Sequence, residues 1–310
     1  MKRKMIWIVC AIVAIIVIMP LIVGNLEKEE LNEHTRSQLD GDFIELSGGI
    51  THYELQGKEN GRTIVLVHGN AAPYVTWDNN FDALVNAGFR VLRYDVFGHG
   101  FSDRPELDKY TRELYDNQLI ELLEKLAITD SIYMVGTSQG GSISVYFTAK
   151  HQGKVTKLAL LSPFFDSFEG EGGAVLLKIP FIGEYIIRLV GDKIMVDPSN
   201  CFYINKEQNA LISKLKKQIY YKGKKRAFLA NMRGDGLDDA TALYTEVKKQ
   251  EIPMLLTWGK QDQSISGESM SRLRMLIPAI KYHEMENAGH LTHYEFPEKI
   301  NPIIINFFKE

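Results

Sequence analysis

The chain has 310 residues, of which 45% are hydrophobic and 24% are charged, a balance that suits one large α/β domain or a core with an inserted subdomain. Its net charge of −3 gives no reason to expect a nucleic-acid partner. The two cysteines, Cys10 and Cys201, lie far apart in different sequence environments. Because no Cys/His cluster accompanies them, we expect neither a disulfide framework nor a bound metal.

The N-terminus carries an uncharged apolar run. Residues 2–4 are Lys-Arg-Lys, and residues 5–24 contain no charged side chain. About 20 helical residues span about 30 Å, which is enough to cross the hydrocarbon core of a bilayer. A cleaved signal peptide usually has a shorter apolar region and a small-residue cleavage site, which Ile22-Val23-Gly24 matches poorly. We therefore predict a retained transmembrane anchor, with cleavage and secretion as the alternative.

Charge on either side of the apolar run predicts its orientation. Residues 1–4 form a basic tip, whereas residues 27–30 read Glu-Lys-Glu-Glu. The positive-inside rule keeps the N-terminus in the cytoplasm and places the rest of this single-pass chain outside the cytoplasm. Residues 25–40 are polar, without apolar periodicity, and are predicted to be a tether between membrane and domain.

Beyond the tether, strand-like and helix-like segments alternate. Gly48-Gly49 predicts a hairpin turn between the first two strands, and the short apolar strands that follow are typical of a parallel sheet buried on both faces. The alternation predicts a doubly wound, mostly parallel sheet of about eight strands. The predicted strands are 43–46, 50–55, 63–67, 89–94, 131–135, 157–161, 253–258 and 280–285, and the predicted helices are 77–87, 111–126, 139–150, 268–276 and the segment from 297 onward.

The alternation stops between residues 163 and 249. Helical patterns occur there without a convincing buried strand. We interpret residues 163–249 as a helical cap, inserted between a first part of the core at 41–162 and a second part at 250–310.

Two stretches of the cap have a distinct composition. Residues 174–190 are mostly apolar, and Pro180 is expected to divide them into two helices. They either pack on the core and line the pocket or face lipid. The second stretch, residues 214–226, is rich in lysine and is expected to be a solvated helix and turn, with attraction to an anionic membrane as the alternative.

Residues 136–140, Gly-Thr-Ser-Gln-Gly, form a G-x-S-x-G motif between a predicted strand and a predicted helix. Small residues two positions either side of the serine permit a tight, strained turn that leaves the Ser138 Oγ exposed for attack. A serine hydroxyl needs an imidazole to accept its proton, and that imidazole needs a carboxylate to orient it. The chain provides candidates for both, because Asp262 follows the strand predicted at 253–258 and His290 follows the last predicted strand.

Four motifs together resemble the α/β-hydrolase superfamily, in its cap-bearing serine-hydrolase branch, from about Phe43 to the C-terminus. They are His68-Gly69-Asn70 after the third strand, residues 94–100 after the fourth, the serine motif, and the late Asp262 and His290. The resemblance implies the α/β-hydrolase fold, with Ser138 as nucleophile, His290 as general base and acid, and Asp262 as the residue that orients the imidazole. It also implies an oxyanion hole made by the backbone N–H groups of Asn70 and Gln139, with no cofactor and no metal.

Other residues near these motifs offer alternatives. Asp95 is the alternative acid and His293 the alternative base, although we expect His293 to cap or pair locally near the last helix. His68 and His99 are expected to brace loops, and Asp103-Arg104 is expected to be a local ion pair at the surface.

A serine at position 138 narrows the reaction class. Haloalkane dehalogenases and epoxide hydrolases resemble the chain at residues 68–70 and 102–105, but they use an aspartate nucleophile. Proline iminopeptidases usually carry a glycine- and proline-rich oxyanion loop, which residues 68–72 do not match. A serine alkoxide favours an acyl carbon. We therefore predict hydrolysis of carboxylic esters, with a lipid-like or acyl ester as the small-molecule substrate. A carbon–carbon bond hydrolase and a ligand-sensing receptor of the same fold are the alternatives.

Overall fold

The computed structural model describes residues 2–22, 25–70, 72–166, 173–196 and 209–310, so Cys201 lies outside the described residues. The strands are β1 Asp42–Leu46, β2 Gly49–Gln56, β3 Thr63–Val67, β4 Arg90–Tyr94, β5 Ile132–Thr137, β6 Val155–Leu161, β7 Met254–Gly259 and β8 Lys281–Met285. The helices are α1 Lys2–Ile22, α2 Glu33–Arg36, α3 Asp78–Asn86, α4 Arg112–Lys125, α5 Gln139–Lys150, α6 Gly173–Lys178, α7 Ile182–Ile194, α8 Asn209–Ile219, α9 Lys224–Arg233, α10 Thr241–Lys248, α11 Gly267–Leu276, α12 Thr292–Glu295 and α13 Pro297–Lys309, with a 3-10 turn at Tyr74–Trp77.

The strands form one eight-stranded sheet in the order β1-β2-β4-β3-β5-β6-β7-β8. The pairs β1–β2 and β2–β4 are antiparallel, and the remaining neighbours are parallel. The mostly parallel, doubly wound sheet predicted from the sequence is therefore confirmed, with strand ends that differ from the predicted ones by at most two residues.

The central strands are buried on both faces because helices cover each side of the sheet. Every residue of β3 is buried, and its side chains alternate between two apolar clusters, as the two-residue repeat of a strand requires. Val65 and Val67 belong to the cluster that includes Leu119 of α4, whereas Ile64 and Leu66 belong to the cluster that includes Ile304 of α13. Because β3 to β8 run parallel, the loops that follow their carboxyl ends all lie at one edge of the sheet.

The described residues of the predicted cap form helices, and Pro180 lies between α6 and α7. The last of these helices, α10, packs on α5 and contributes Tyr244 and Val247 to the core. An apolar cluster inside the cap joins Leu177 of α6 and Ile187 of α7 to Phe228, Leu229 and Met232 of α9. The apolar stretch at residues 174–190 thus packs partly within the cap itself.

The lysine-rich stretch of the cap is not uniformly solvated, so the expectation of a solvated surface is wrong for two of its lysines. Lys224 is fully buried and donates from Nζ to the carbonyl oxygen of Gly98 at 3.0 Å. Burial holds the pKa of its ammonium well below the ordinary value. Lys225 is 5% exposed and pairs with Asp192 at 2.8 Å.

Arg104 connects the core to the cap instead of forming a surface pair with Asp103, which corrects the expectation from sequence. Asp103 pairs with Arg36 near α2. The Arg104 guanidinium is buried, which lowers its pKa to about 10. It donates to four carbonyl oxygens, those of Gly100 in the core and of Gln218, Tyr221 and Lys222 in the cap.

The segment predicted as a tether is bound along the cap. The backbone N–H groups of Lys28 and Glu29 donate to the carbonyl oxygen of Tyr220 at 2.8 and 2.9 Å, and Glu29 forms a β-bridge with Tyr221. Upstream, α1 has a mean hydropathy of 2.1 over Arg3–Pro20, none of it buried, and is long and apolar enough to cross a membrane.

The Arg104 contacts predict a stability effect. Arg104→Ala leaves buried carbonyl oxygens without a donor and should lower the free energy of unfolding by about 3 kcal/mol or more. Lys222→Ala at the same junction removes only an exposed ion pair with Glu30, and should cost less than about 1 kcal/mol. Urea unfolding of both variants measures the difference. Equal losses would mean that Arg104 does not hold the cap.

Candidate active site

Ser138 sits in the turn between β5 and α5 with φ 52° and ψ −123°. A non-glycine residue in this region costs about 1–3 kcal/mol and persists only where its surroundings enforce it. The Ser138 N–H donates to the carbonyl oxygen of Leu161 at 3.2 Å, and the Ser138 carbonyl oxygen accepts from Phe164 at 2.9 Å. The neighbouring strand and loop therefore hold the strained turn.

The two glycines of the motif are required by close backbone approach. A β-carbon on Gly136 would lie 2.4 Å from the carbonyl oxygen of Gly140. A β-carbon on Gly140 would lie 2.2 Å from the carbonyl oxygen of Val67 at the end of β3. Rigid backbone cannot move aside for either atom, so the sequence G-x-S-x-G follows from the packing of α5 on the sheet.

Asp262 and His290 meet on neighbouring loops after β7 and β8. The His290 Nδ1 lies 2.8 Å from the Asp262 Oδ2, and the Asp262 side chain is fully buried. The other carboxylate oxygen accepts from the backbone N–H groups of Ser264 at 2.8 Å and Ile265 at 2.9 Å. With Nδ1 bound to the carboxylate, Nε2 of His290 is the nitrogen that remains to exchange a proton.

The alternative acid, Asp95, is engaged elsewhere. Its carboxylate lies 2.7 Å from His52 Nδ1 and accepts from the backbone N–H of Tyr74 at 2.7 Å. Burial raises the pKa of this carboxyl, but the hydrogen bonds with His52 and Tyr74 and the electrostatic influence of His52 and His68 together hold the pKa of Asp95 below its ordinary value. Asp95 therefore holds the loop after β4 against His52 and Tyr74.

The alternative base, His293, is a buried aromatic. Its ring packs on Trp77 with centroids 4.3 Å apart, and neither ring nitrogen has a hydrogen-bond partner among the described residues. The expected cap or local pair is thus absent from that part of the chain. Burial, with a smaller effect of the neighbouring His290, lowers the pKa of His293 to about 3.

His68 and His99 brace the loops that follow β3 and β4. His68 Nε2 accepts from the backbone N–H of Val96 at 3.0 Å, and Nδ1 lies 2.8 Å from the carbonyl oxygen of Gly69. His99 is buried against His68, with ring centroids 5.4 Å apart. Both histidines support the loop before Asn70, as the sequence predicts.

The loop that carries Asn70 lies directly over the serine. A β-carbon on Gly69 would be 3.0 Å from Ser138 Cβ and 3.5 Å from Ser138 Oγ. Gln139 is the first residue of α5, so its backbone N–H has no carbonyl oxygen of an earlier helical turn to donate to. The two N–H groups proposed for an oxyanion hole thus belong to Gln139, directly after Ser138, and to Asn70, directly after the glycine that lies against Ser138.

Sequence reasoning missed Asn231 of α9. Its carboxamide contacts the side chains of both Asn70 and Gln139, although it lies 161 and 92 residues away from them along the chain. Because no motif surrounds Asn231 and it falls in the cap, no signal in a single sequence identifies it.

No metal site accompanies this arrangement in the part of the chain that the structure covers. Among those residues, no group of three or more His, Cys, Asp or Glu side chains is placed to hold a metal ion.

An eight-stranded, mostly parallel sheet with a serine on a strained strand–helix turn and a helical cap defines an α/β-hydrolase. The chain belongs to the Hydrolase_4 family, described as serine aminopeptidase, S33, whose model matches residues 58–297. With its relatives among lipases and other hydrolases, it is a serine hydrolase of this superfamily.

The similar proteins are named as a lipase, a hydrolase of a 2-hydroxy-6-oxo acid, and an esterase. Lipase 1 of Psychrobacter immobilis is 27% identical over 288 residues, which cover 89% of the chain and 86% of that protein. The 2-hydroxy-6-oxononadienedioate/2-hydroxy-6-oxononatrienedioate hydrolase of Escherichia coli is 28% identical over 267 residues, covering 81% of the chain and 88% of that protein. A thermophilic esterase from Thermogutta terrifontis shares the fold, with a TM-score of 0.74 and 20% identity, over 87% of this chain and 98% of that one.

The buried His293 predicts a pH dependence of stability. Its folded pKa of about 3 lies below the ordinary value, so the unfolded chain takes up the proton first as the pH falls. The contribution of neutral His293 to the free energy of unfolding is therefore fully present above about pH 6.5 and is lost progressively from there towards pH 3. About 2 kcal/mol of it is lost by pH 5. His293→Phe, which keeps a ring against Trp77, should reduce by that amount the difference between urea unfolding free energies at pH 7.5 and pH 5. An unchanged difference would show that His293 does not stay neutral when folded.

Proposed function

We propose that the chain hydrolyses carboxylic esters, with Ser138 as nucleophile, His290 as general base and acid, and Asp262 as its orienting carboxylate. The observation that carries the proposal is the 2.8 Å hydrogen bond between Asp262 and His290 at the sheet edge where the strained Ser138 turn also lies. Similarity to the lipase of Psychrobacter immobilis supports an ester as the substrate.

In the first half of the reaction, His290 Nε2 accepts the proton of the Ser138 hydroxyl while Oγ attacks the ester carbonyl carbon. The carbonyl oxygen becomes an oxyanion, stabilised by the backbone N–H groups of Asn70 and Gln139. When the tetrahedral intermediate collapses, the bond to the alcohol oxygen breaks and His290 returns the proton to that oxygen. The products are a free alcohol and an acyl group on Ser138.

In the second half, a water molecule replaces the alcohol. His290 accepts a proton from the water, whose oxygen attacks the acyl carbon, and Ser138 leaves with the proton that His290 returns. Throughout, the Asp262 carboxylate stabilises the imidazolium that forms at each attack. All proton transfers pass through one nitrogen, so the chemistry requires no cofactor.

Loss of any member of the proposed triad should remove the activity almost entirely. Ser138→Ala and His290→Ala should each lower kcat for p-nitrophenyl butyrate by at least about 10⁴-fold, because triad members act as a unit. His293→Phe is the matched control and should retain most of the activity. Retained turnover in Ser138→Ala, or a severe loss confined to the His293 variant, would refute the assignment.

We further propose that α1 anchors the enzyme in a membrane, with the N-terminus in the cytoplasm and the catalytic domain outside it. The chain that leaves α1 is bound at once to the cap: Leu26 N–H donates to Asp192 of α7 at 3.3 Å, and Lys225 Nζ donates to Asn25 at 3.0 Å. These contacts favour a domain held close to the membrane. The cap then faces the surface from which a lipid-like ester would enter.

Exposed apolar side chains on two helices of the cap support this position. Phe181, between α6 and α7, is 88% exposed, and Val190 and Ile194 lie on α7, the helix whose Asp192 accepts from the backbone N–H of Leu26. A concentration of exposed apolar side chains is typical of a surface that binds lipid or protein. The exposed apolar side chains of α6, α7 and the turn between them are Val175, Leu176, Ile179, Phe181, Ile182, Val190 and Ile194.

Removal of the apolar helix tests the anchor. The full chain should sediment with membranes after an alkaline carbonate wash, whereas a chain that begins at residue 25 should be released and still hydrolyse short esters. The mass of the purified full chain distinguishes the alternatives. A soluble protein that lacks the first residues would indicate a cleaved signal and overturn the anchor.

A second candidate is hydrolysis of a carbon–carbon bond, which the 28% identity to the Escherichia coli hydrolase favours. The same triad would serve it. Parallel assays with p-nitrophenyl butyrate and a 2-hydroxy-6-oxo-dienoate separate the two. We expect the ester to be the better substrate by kcat/KM, and turnover of the dienoate alone would replace the ester assignment.

A further inference from the structure

The side chain of Asn231 joins the cap to both residues of the proposed oxyanion hole. Its Oδ1 accepts from Gln139 Nε2 at 2.6 Å and from the Tyr115 hydroxyl at 2.7 Å. Its Nδ2 donates to Asn70 Oδ1 at 2.9 Å and to Gln139 Oε1 at 3.0 Å. A carboxamide offers two donor and two acceptor positions, so every one is used.

The contacts hold Asn70 at one point and Gln139 at two. Between Asn231 and Gln139 the two amides pair face to face, each donating to and accepting from the other. This double hydrogen bond sets both the distance and the orientation of the Gln139 side chain. Tyr115 lies on α4 of the core and belongs to neither loop. Its hydroxyl donates to Asn231 Oδ1 and so holds that oxygen in place.

Burial makes these bonds costly to break. Asn231 is 0% exposed and Gln139 is 1% exposed, so neither amide can exchange its partner for bulk water. An unpaired buried amide loses about 1–3 kcal/mol, which keeps the network closed. The backbone of Gly236 also lies against Gln139, because a β-carbon there would be 2.4 Å from Nε2.

We propose that Asn231 is a positioning residue, which holds the loops after β3 and β5 so that the backbone N–H groups of Asn70 and Gln139 converge on one oxyanion. The proposal rests on the proposed function. It adds that a residue of the cap, which does not touch the reacting atoms, controls stabilisation of the charged intermediate.

The helix that carries Asn231 is itself fixed to the core. The carbonyl oxygen of Ala230 accepts from the backbone N–H of Tyr110 at 2.9 Å, and the buried Lys224 donates to Gly98 at 3.0 Å. The position of α9 is therefore transmitted to the oxyanion hole through Asn231. A shift of the cap that separates these amides would loosen both donors together.

Asn231→Leu tests the role, since leucine has a similar volume and no hydrogen-bonding atom. We expect kcat for p-nitrophenyl butyrate, and the second-order rate of reaction with a fluorophosphonate probe, to fall by about tenfold to 100-fold, less than the loss of a whole oxyanion donor. KM should change little, because the contact acts on the charged state and not on the neutral ester. Gln218→Leu is the matched control, a fully buried cap carboxamide that accepts from Gly100, and it should leave both rates unchanged.

Gln139→Leu provides a second variant that keeps the backbone N–H and removes the amide pair. It should show the same loss, and the double variant should lose no more than either single one. Should Asn231→Leu fail to fold, the loss in Gln139→Leu still decides. Unchanged rates in the folded variants, or a rise in KM at constant kcat, overturn the role of Asn231. A wild-type chain that does not react with the probe overturns the proposed function and this role together.

Discussion

The strained backbone at Ser138 is the constraint on which the rest of the site depends. A serine with φ 52° is stable only if packing compensates for its cost, and that packing excludes a β-carbon at Gly136 and Gly140. The same close approach sets α5 against the ends of β3 and β5. Because parallel strands end at one edge of the sheet, the loops that carry Asn70 and His290 arrive there too. The packing of α5 on the parallel sheet thus places the proposed nucleophile at the same edge as its proposed partners.

Buried polar groups connect the cap to this edge. Arg104 donates to carbonyl oxygens of the cap, Lys224 donates to a core loop, and Asn231 pairs with side chains beside the serine. Apolar packing alone would allow the helices of the cap to slide, since it is not directional. Directional hydrogen bonds between buried groups fix a register instead. The cap helix α9 is therefore part of the geometry of the candidate site, and the contact of Asp192 with the chain beyond α1 links the cap to the proposed membrane anchor.

The local part of this architecture could be predicted from the sequence, whereas the long-range polar contacts could not. The strand at 63–67 and the helix at 139–150 follow from apolar runs and turn residues, which act over short distances. The sequence predicts Arg104 at the surface, because a charged residue usually lies there, and only the fold provides the four carbonyl oxygens that permit its burial. Asn231 carries no local signal, since its partners lie far along the chain. The sequence predicts a polar partner for His293, whereas the fold places its ring against Trp77.

We propose that Ser138 is the nucleophile because the turn exposes its hydroxyl to an imidazole oriented by Asp262. The most direct measurement is the site of covalent modification after treatment of the full chain with a fluorophosphonate, mapped by tandem mass spectrometry of its peptides. We expect one adduct, on Ser138, that is absent when His290 is replaced by alanine. An adduct on another serine, or an unmodified protein under conditions in which it hydrolyses esters, would contradict it.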